Sequence, residues 1–238
     1  TQGDLEGALA AAEQCSQEAV RIGDTGAVLL STKMQGTASA LAGDLQKAKA
    51  LLGVAIEFHR GGRELNPGLL PAIVELAFVL TAENDVEQAE SLLKECLEVC
   101  ERSGEQWLRS HAYWALALTH IAGRRTAEAL EDIRQALRIK LNFHDVLGMV
   151  MALEAAARVV AAEGDALSAA RLLGAAEANW RLFGLPLFGS PFLTAEHEQT
   201  VADCKRLIGA DRYEEQVAAG RRLSLDEAVR YVLDEALP

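Results

Sequence analysis

The chain is 238 residues long, 50% hydrophobic and 24% charged, with a formal net charge of −12. A chain of this length and apolar content can bury a continuous core, and with aromatics at only 5% the alanine- and leucine-rich remainder favours close-packed helices over sheets. The acidic balance argues against direct nucleic-acid binding, and no apolar run reaches the roughly 20 uncharged residues of a membrane span, because Glu75 interrupts 72–82 and Glu154 and Arg158 interrupt 146–162.

The predicted elements repeat. Starting from Gly3-Asp4-Leu5, Gly43-Asp44-Leu45, Asn84-Asp85-Val86, Arg124-Arg125-Thr126 and Gly164-Asp165-Ala166, an alanine stands five residues on: Ala8, Ala48, Ala89, Ala129 and Ala169. The intervals are 40, 41, 40 and 40. Seven residues further comes Cys15, Ala55, Cys96, Ala136 or Ala176, and twelve residues before four of the anchors comes Gly36, Ala77, Ala117 or Ala157. Small residues kept at three positions mark close helix crossings, with axes at the short end of 8–10 Å. Leu52, Leu93, Ile133 and Leu173, four residues after the anchors, supply the bulk beside them. Glycine suits a left-handed helix end and aspartate caps the next helix, so each unit is a helical hairpin.

In chain order, a lone second helix at Asp4–Ile22 precedes four complete pairs. These are Thr25–Ala42 with Asp44–Arg60, Leu69–Glu83 with Asp85–Arg102, Glu105–Ala122 with Thr126–Leu141, and Asp145–Glu163 with Asp165–Phe183. Beginning halfway through a unit, without a Met and without a signal peptide, suggests an excised fragment. The pattern stops after Phe183. Gly184-Leu185-Pro186 and Gly189-Ser190-Pro191 read as a kinked connection, as does Leu65–Pro71 earlier. Three further helices are expected near Thr194–Leu207, Asp211–Ala219 and Ser224–Leu237, the last opening with a Ser224/Glu227 capping box. The expected fold is thus all-α, a right-handed α-solenoid with a period of about 40 residues, its repeats in 1–183 and a C-terminal helical cap in 184–238.

The small-residue positions and the glycine before the second helix resemble the tetratricopeptide repeat. The period departs from the usual 34, the customary proline after the second helix is missing, and several aromatic positions hold Ile, Leu or Thr. The C-terminal third is more specific. Ala169-Ala170-Arg171-Leu172-Leu173-Gly174-Ala175-Ala176-Glu177, then Leu207-Ile208-Gly209-Ala210-Asp211-Arg212-Tyr213, then Ala219-Gly220-Arg221-Arg222-Leu223-Ser224-Leu225-Asp226-Glu227-Ala228-Val229 resemble the tail of large bacterial, chiefly actinobacterial, regulators. Those are signal-transduction ATPases with a tetratricopeptide-like C-terminal region, whose relatives carry LuxR-type or winged-helix DNA-binding domains. The resemblance implies a sensor or regulatory arm acting on domains outside this chain.

Catalytic chemistry is not written into the sequence. It holds no phosphate-binding Gly-x-x-x-x-Gly-Lys-Ser/Thr loop, no Gly-x-Ser-x-Gly elbow and no His-Glu-x-x-His helix, and no cofactor or metal is expected. Cys15, Cys96, Cys100 and Cys204 form neither a disulfide framework nor a CxxC pair, and read as reduced thiols of a cytoplasmic protein. Glu196-His197-Glu198 reads as a solvated helix start, and His59, His111, His120 and His144 as isolated surface or groove residues; Glu128, Glu131 and Asp132 read as an exposed acidic face. The expected site is the concave groove lined by the first helix of each pair. Leu30, Lys33 and Thr37, then Val74, Phe78 and Thr81, then His111, Trp114 and Leu118, then Met151, Glu154 and Arg158 should face inward. An aromatic centre between Lys33 and the Glu154/Arg158 pair suits a mixed apolar and polar ligand. The expected partner is a protein or peptide, including other domains of the parent chain, with a metabolite as the alternative; a cut N-terminal face would suit homodimerisation.

Overall fold

The computed structural model describes residues 4–60 and 68–233. The described residues form α1 (Leu5–Ile22), α2 (Thr25–Ala42), α3 (Leu45–Arg60), α4 (Leu69–Ala82), α5 (Val86–Ser103), α6 (Trp107–Ala122), α7 (Thr126–Phe143), α8 (Val146–Ala162) and α9 (Ala166–Trp180). A 3-10 turn follows at Pro186–Gly189, then α10 (Pro191–Ile208), α11 (Ala210–Gly220) and α12 (Leu225–Leu233). There is no strand among the described residues. The expected repeat start at Gly3, most of the hinge before Gly68, the His59 side chain and the end of the last helix beyond Leu233 lie outside the described residues.

Aspartates start half of these twelve helices. Asp4, Asp24, Asp85, Asp145 and Asp165 each accept a bond from the backbone N–H three residues on, satisfying a donor that the helix itself leaves open. Asp44 likewise accepts from the Lys47 N–H, and Gly43 and Gly164 hold the left-handed position before Asp44 and Asp165, at φ 87° and 93°. Asn84 and Arg124 take the same position in the neighbouring repeats, at φ 63° and 59°. Ser224 and Glu227 form the reciprocal capping box, with Ser224 N–H donating to Glu227 Oε2 at 2.8 Å and Glu227 N–H to Ser224 Oγ at 3.2 Å.

The small positions pack the hairpins. Ala48, Ala89, Ala129 and Ala169 are completely buried, as are Ala55, Cys96, Ala136 and Ala176. Gly36, Ala77, Ala117 and Ala157 are buried opposite them, and a Cβ on Gly36 would run into the Leu52 side chain. Only the first copy differs, with Cys15 exposed. Polar groups then tie neighbouring repeats together. Thr81 and Thr119 hydroxyls meet at 2.8 Å between α4 and α6. Lys140, 1% exposed, sets its Nζ 2.9 Å from Asp145 Oδ2 and 2.8 Å from His111 Nδ1, which pins α6, α7 and α8 at one point. His120 is likewise buried, its Nδ1 2.7 Å from Asp132, so neither belongs to the solvated surface expected of them.

The C-terminal helices depart from a simple end cap. α11 and α12 do close the stack, packing on α9 and on α7 to α9 respectively. Gly174 and Gly220 allow backbone contact at the α9/α11 crossing, where a Cβ on Gly174 would strike the Val217 carbonyl and one on Gly220 the Arg171 carbonyl. α9 ends at Trp180, before the expected Phe183, and α10 starts at Pro191, before the expected Thr194, because proline suits the first helical turn. The 3-10 turn and the first turns of α10 fold back onto the faces of α2, α4, α6 and α8.

Replacing Arg124 with glycine relieves a left-handed conformation that costs a side-chain-bearing residue about 1–2 kcal/mol, less about 0.4–1 kcal/mol of added chain entropy. Denaturant titration of Arg124→Gly should show a gain of about 0.5–1 kcal/mol. Gly174→Ala should lose about 1–3 kcal/mol in the same measurement, because the atoms its Cβ would strike are Val217 backbone and not a side chain that can move aside.

Candidate functional site

The first helices α2, α4, α6 and α8 stand side by side and form one continuous face. Its centre is aromatic. Phe78 and Trp114 stack with ring centroids 6.2 Å apart and planes 15° from parallel, and the Trp114 indole N–H donates to the Met151 carbonyl at 3.3 Å. At the α2 end, Lys33 lies 2.7 Å from Glu75 and the Thr37 hydroxyl 2.7 Å from the same carboxylate. Burial raises the Glu75 carboxyl above its ordinary value although Lys33 and Thr37 oppose the shift. At the α8 end, Glu154 accepts from Trp180 Nε1 at 2.9 Å and meets His197 Nδ1 at 2.9 Å, while Arg158 pairs with Glu196.

The structure therefore brings Lys33, Thr37, Val74, Phe78, Trp114, Leu118, Met151, Glu154 and Arg158 onto one face. Three of the expected inward residues sit elsewhere. Thr81 is spent on Thr119 in the layer between α4 and α6. His111 turns to Lys140 and to the edge of Trp107, and burial beside the lysine pushes it down to about 4. Leu30 is 60% exposed, at the open rim.

That face is already occupied by the chain itself. Phe192 meets Phe78 edge-on with centroids 5.5 Å apart. Leu193 enters between Trp114, Leu118 and Met151, and Phe188 lies beside it. Glu196 and His197 reach Arg158 and Glu154, so the pair expected at a solvated helix start instead forms polar clasps across the groove. Residues 186–197 thus form a strap over the concave face. The strap fits incompletely: a half-open apolar cavity of about 120 Å³ remains between Thr37, Val74, Phe78, Trp114, Met151 and Leu193. No signal marks the strap in the sequence, because its contacts join positions far apart with no shared period. Among the described residues no cluster of three or more His, Cys, Asp or Glu could hold a metal ion, and no helix is long and apolar enough to cross a membrane.

The tetratricopeptide repeat family matches residues 69–142, which span α4 to α7. The chain contains a tetratricopeptide-like repeat region. Its fold is similar to that of BtubC (BKLC) from P. vanneervenii, with a TM-score of 0.62 and 16% identity over 99% of this chain and 94% of that one. It is also similar to a kinesin light chain with nearly identical repeats from Podosopora anserina, with a TM-score of 0.54 and 19% identity over 87% of this chain and 97% of that one. No curated protein matches. At these identities the likeness establishes the fold, an α-solenoid of helical hairpins.

The clasp carries a pH dependence. Its bond to Glu154, against the opposing burial, raises His197 above the ordinary 6.5, and Glu198 and Glu177 add to the rise. A raised imidazole contributes fully below about pH 6.5 and loses its contribution as pH climbs through the raised value. Trp180, bonded to the same carboxylate, reports on it. Its emission should shift as pH rises above 6.5 through the raised value, and His197→Gln should abolish that shift; an unchanged shift in the variant places the titration elsewhere.

Proposed function

We propose that the chain is a protein-interaction module that takes a protein or peptide along the concave face of α2, α4, α6 and α8. Tetratricopeptide repeats are a scaffold for protein interactions, and that supplies the class. The observation that carries the reading is the face itself: an aromatic centre at Phe78 and Trp114, with Lys33 and Glu75 at one end and Glu154 and Arg158 at the other. Apolar anchors inside a polar rim are the arrangement that gives an interface both affinity and register. The net charge of −12 disfavours a direct role on nucleic acid.

The resemblance of 165–233 to bacterial regulators supports a finer reading. In it, this region is the regulatory arm of a signalling ATPase or transcription regulator working in the cytoplasm, and its partner is another protein or another domain of the parent chain. In this reading residues 184–238 are part of the same domain as the repeats, supported by the described helices up to Leu233, which pack on α7, α8 and α9 and on α2. Val20 and Ile22, each more than 60% exposed, would serve a homodimer through α1. The apolar cavity of about 120 Å³ favours one second reading, a metabolite seated beneath the strap. Such a ligand would raise the melting temperature by mass action without any protein partner.

A photo-crosslinking amino acid tests the main reading in the producing cell. Placed at Leu30 on the concave rim it should capture a discrete protein, and placed at the exposed Phe143 of α7 it should not. Equal capture from both positions, or none from Leu30, contradicts the reading.

A further inference from the structure

We infer that residues 186–197 are a built-in and imperfect occupant of the concave face, standing in for a partner segment with an apolar pair, a ring larger than leucine where Leu193 sits, and a carboxylate one turn further on. The inference rests on the interaction reading and names the partner chemistry for that same face.

Three observations converge on it. The strap uses the face as a bound segment would: Phe192 on Phe78, Leu193 between Trp114, Leu118 and Met151, and Glu196 on Arg158. Its apolar and acidic groups therefore match the chemistry that the face presents. The fit is incomplete, because the cavity of about 120 Å³ lies directly beside Leu193. A benzene ring seats in an apolar cavity of roughly 150 Å³, and a ring in place of leucine also takes over the leucine's own volume, so the space beside Leu193 lets an aromatic side chain fill contacts that the strap leaves unmade. The strap is also strained. Leu187 and Phe188 are consecutive left-handed residues, at φ 53° and 57°, although neither is glycine.

These features set a competition. The strap is held near the face at an effective concentration on the order of millimolar, so only a better-fitting segment displaces it. Displacement need involve only the first turns of α10. Its second half stays anchored by Thr200 and the buried Cys204, near α9 and α11.

The test uses the full chain and two labelled peptides followed by fluorescence anisotropy: residues 188–200 as they stand, and the same peptide with Leu193→Phe. The receptor is tested as wild type and with the strap loosened by Phe192→Ala and Glu196→Gln, which leave the receiving face intact. The loosened chain should bind the native peptide at least tenfold more tightly than wild type does. The Leu193→Phe peptide should bind at least fivefold more tightly than the native one, and Arg158→Ala in the receptor should weaken both. Equal binding to the two receptors, no binding to either, or no gain from phenylalanine overturns the inference. Should the loosened chain fail to fold, Leu193→Phe in the intact chain decides instead. It should raise the melting temperature by filling the cavity and reduce binding of the Phe peptide, and a fall in melting temperature counts against the proposal. The two readings fail separately. Capture of a protein from Leu30 with negative peptide results removes the strap inference alone, whereas peptide competition without any capture from Leu30 removes the reading of an external partner.

Discussion

At each complete hairpin an alanine and an alanine or cysteine of the second helix are buried to zero exposure, facing a buried glycine or alanine of the first. No side chain longer than a methyl or thiol holds the backbones apart at these points, so the helices close to the short end of their packing range. Leu52, Leu93, Ile133 and Leu173 then fill the grooves on either side. The rest follows from this spacing. Tight hairpins stack with their first helices aligned, contacts such as Thr81 with Thr119 set one first helix against the next, and the four together make a single concave face.

The polar residues divide into two groups with different work. Lys140 is buried and bonded to the half-buried His111 and Asp145, His120 lies 2.7 Å from Asp132, and both sets join adjacent helices inside the stack. Such groups are costly to break but present nothing to a ligand. Glu154, Arg158, Glu75 and Lys33 sit at the edges of the aromatic centre, each partly exposed, and two of them clasp the strap. Function therefore concentrates where charge meets the groove, and stability where charge is sealed between repeats.

The repeat was readable from the sequence because small residues recur at a fixed period and each is tied to a local packing need. Capping was readable for the same reason: aspartate acts on an amide only three residues away. The identity of the concave helices also followed from the period, which is why Phe78, Trp114, Met151 and Arg158 could be placed on one face. Individual side-chain partners were less legible. Thr81 and His111 have the right spacing to face inward, yet a hydroxyl on α6 and an ammonium on α7 claim them first. The strap was invisible altogether. Phe192 lies more than a hundred residues from Phe78 along the chain, and nothing local in Pro191-Phe192-Leu193 distinguishes a segment that returns to the groove from one that only closes the end.

The account stands on the strap lying across the face made by the first helices. Nuclear Overhauser spectroscopy on protein with labelled phenylalanine tests this most directly, with Phe78→Leu used to assign the signals. Cross-peaks between the Phe78 and Phe192 rings are predicted, as their centroids are 5.5 Å apart. Absence of those cross-peaks in the folded chain, with Phe192 giving the sharp, narrowly dispersed signals of a solvated ring, would contradict it.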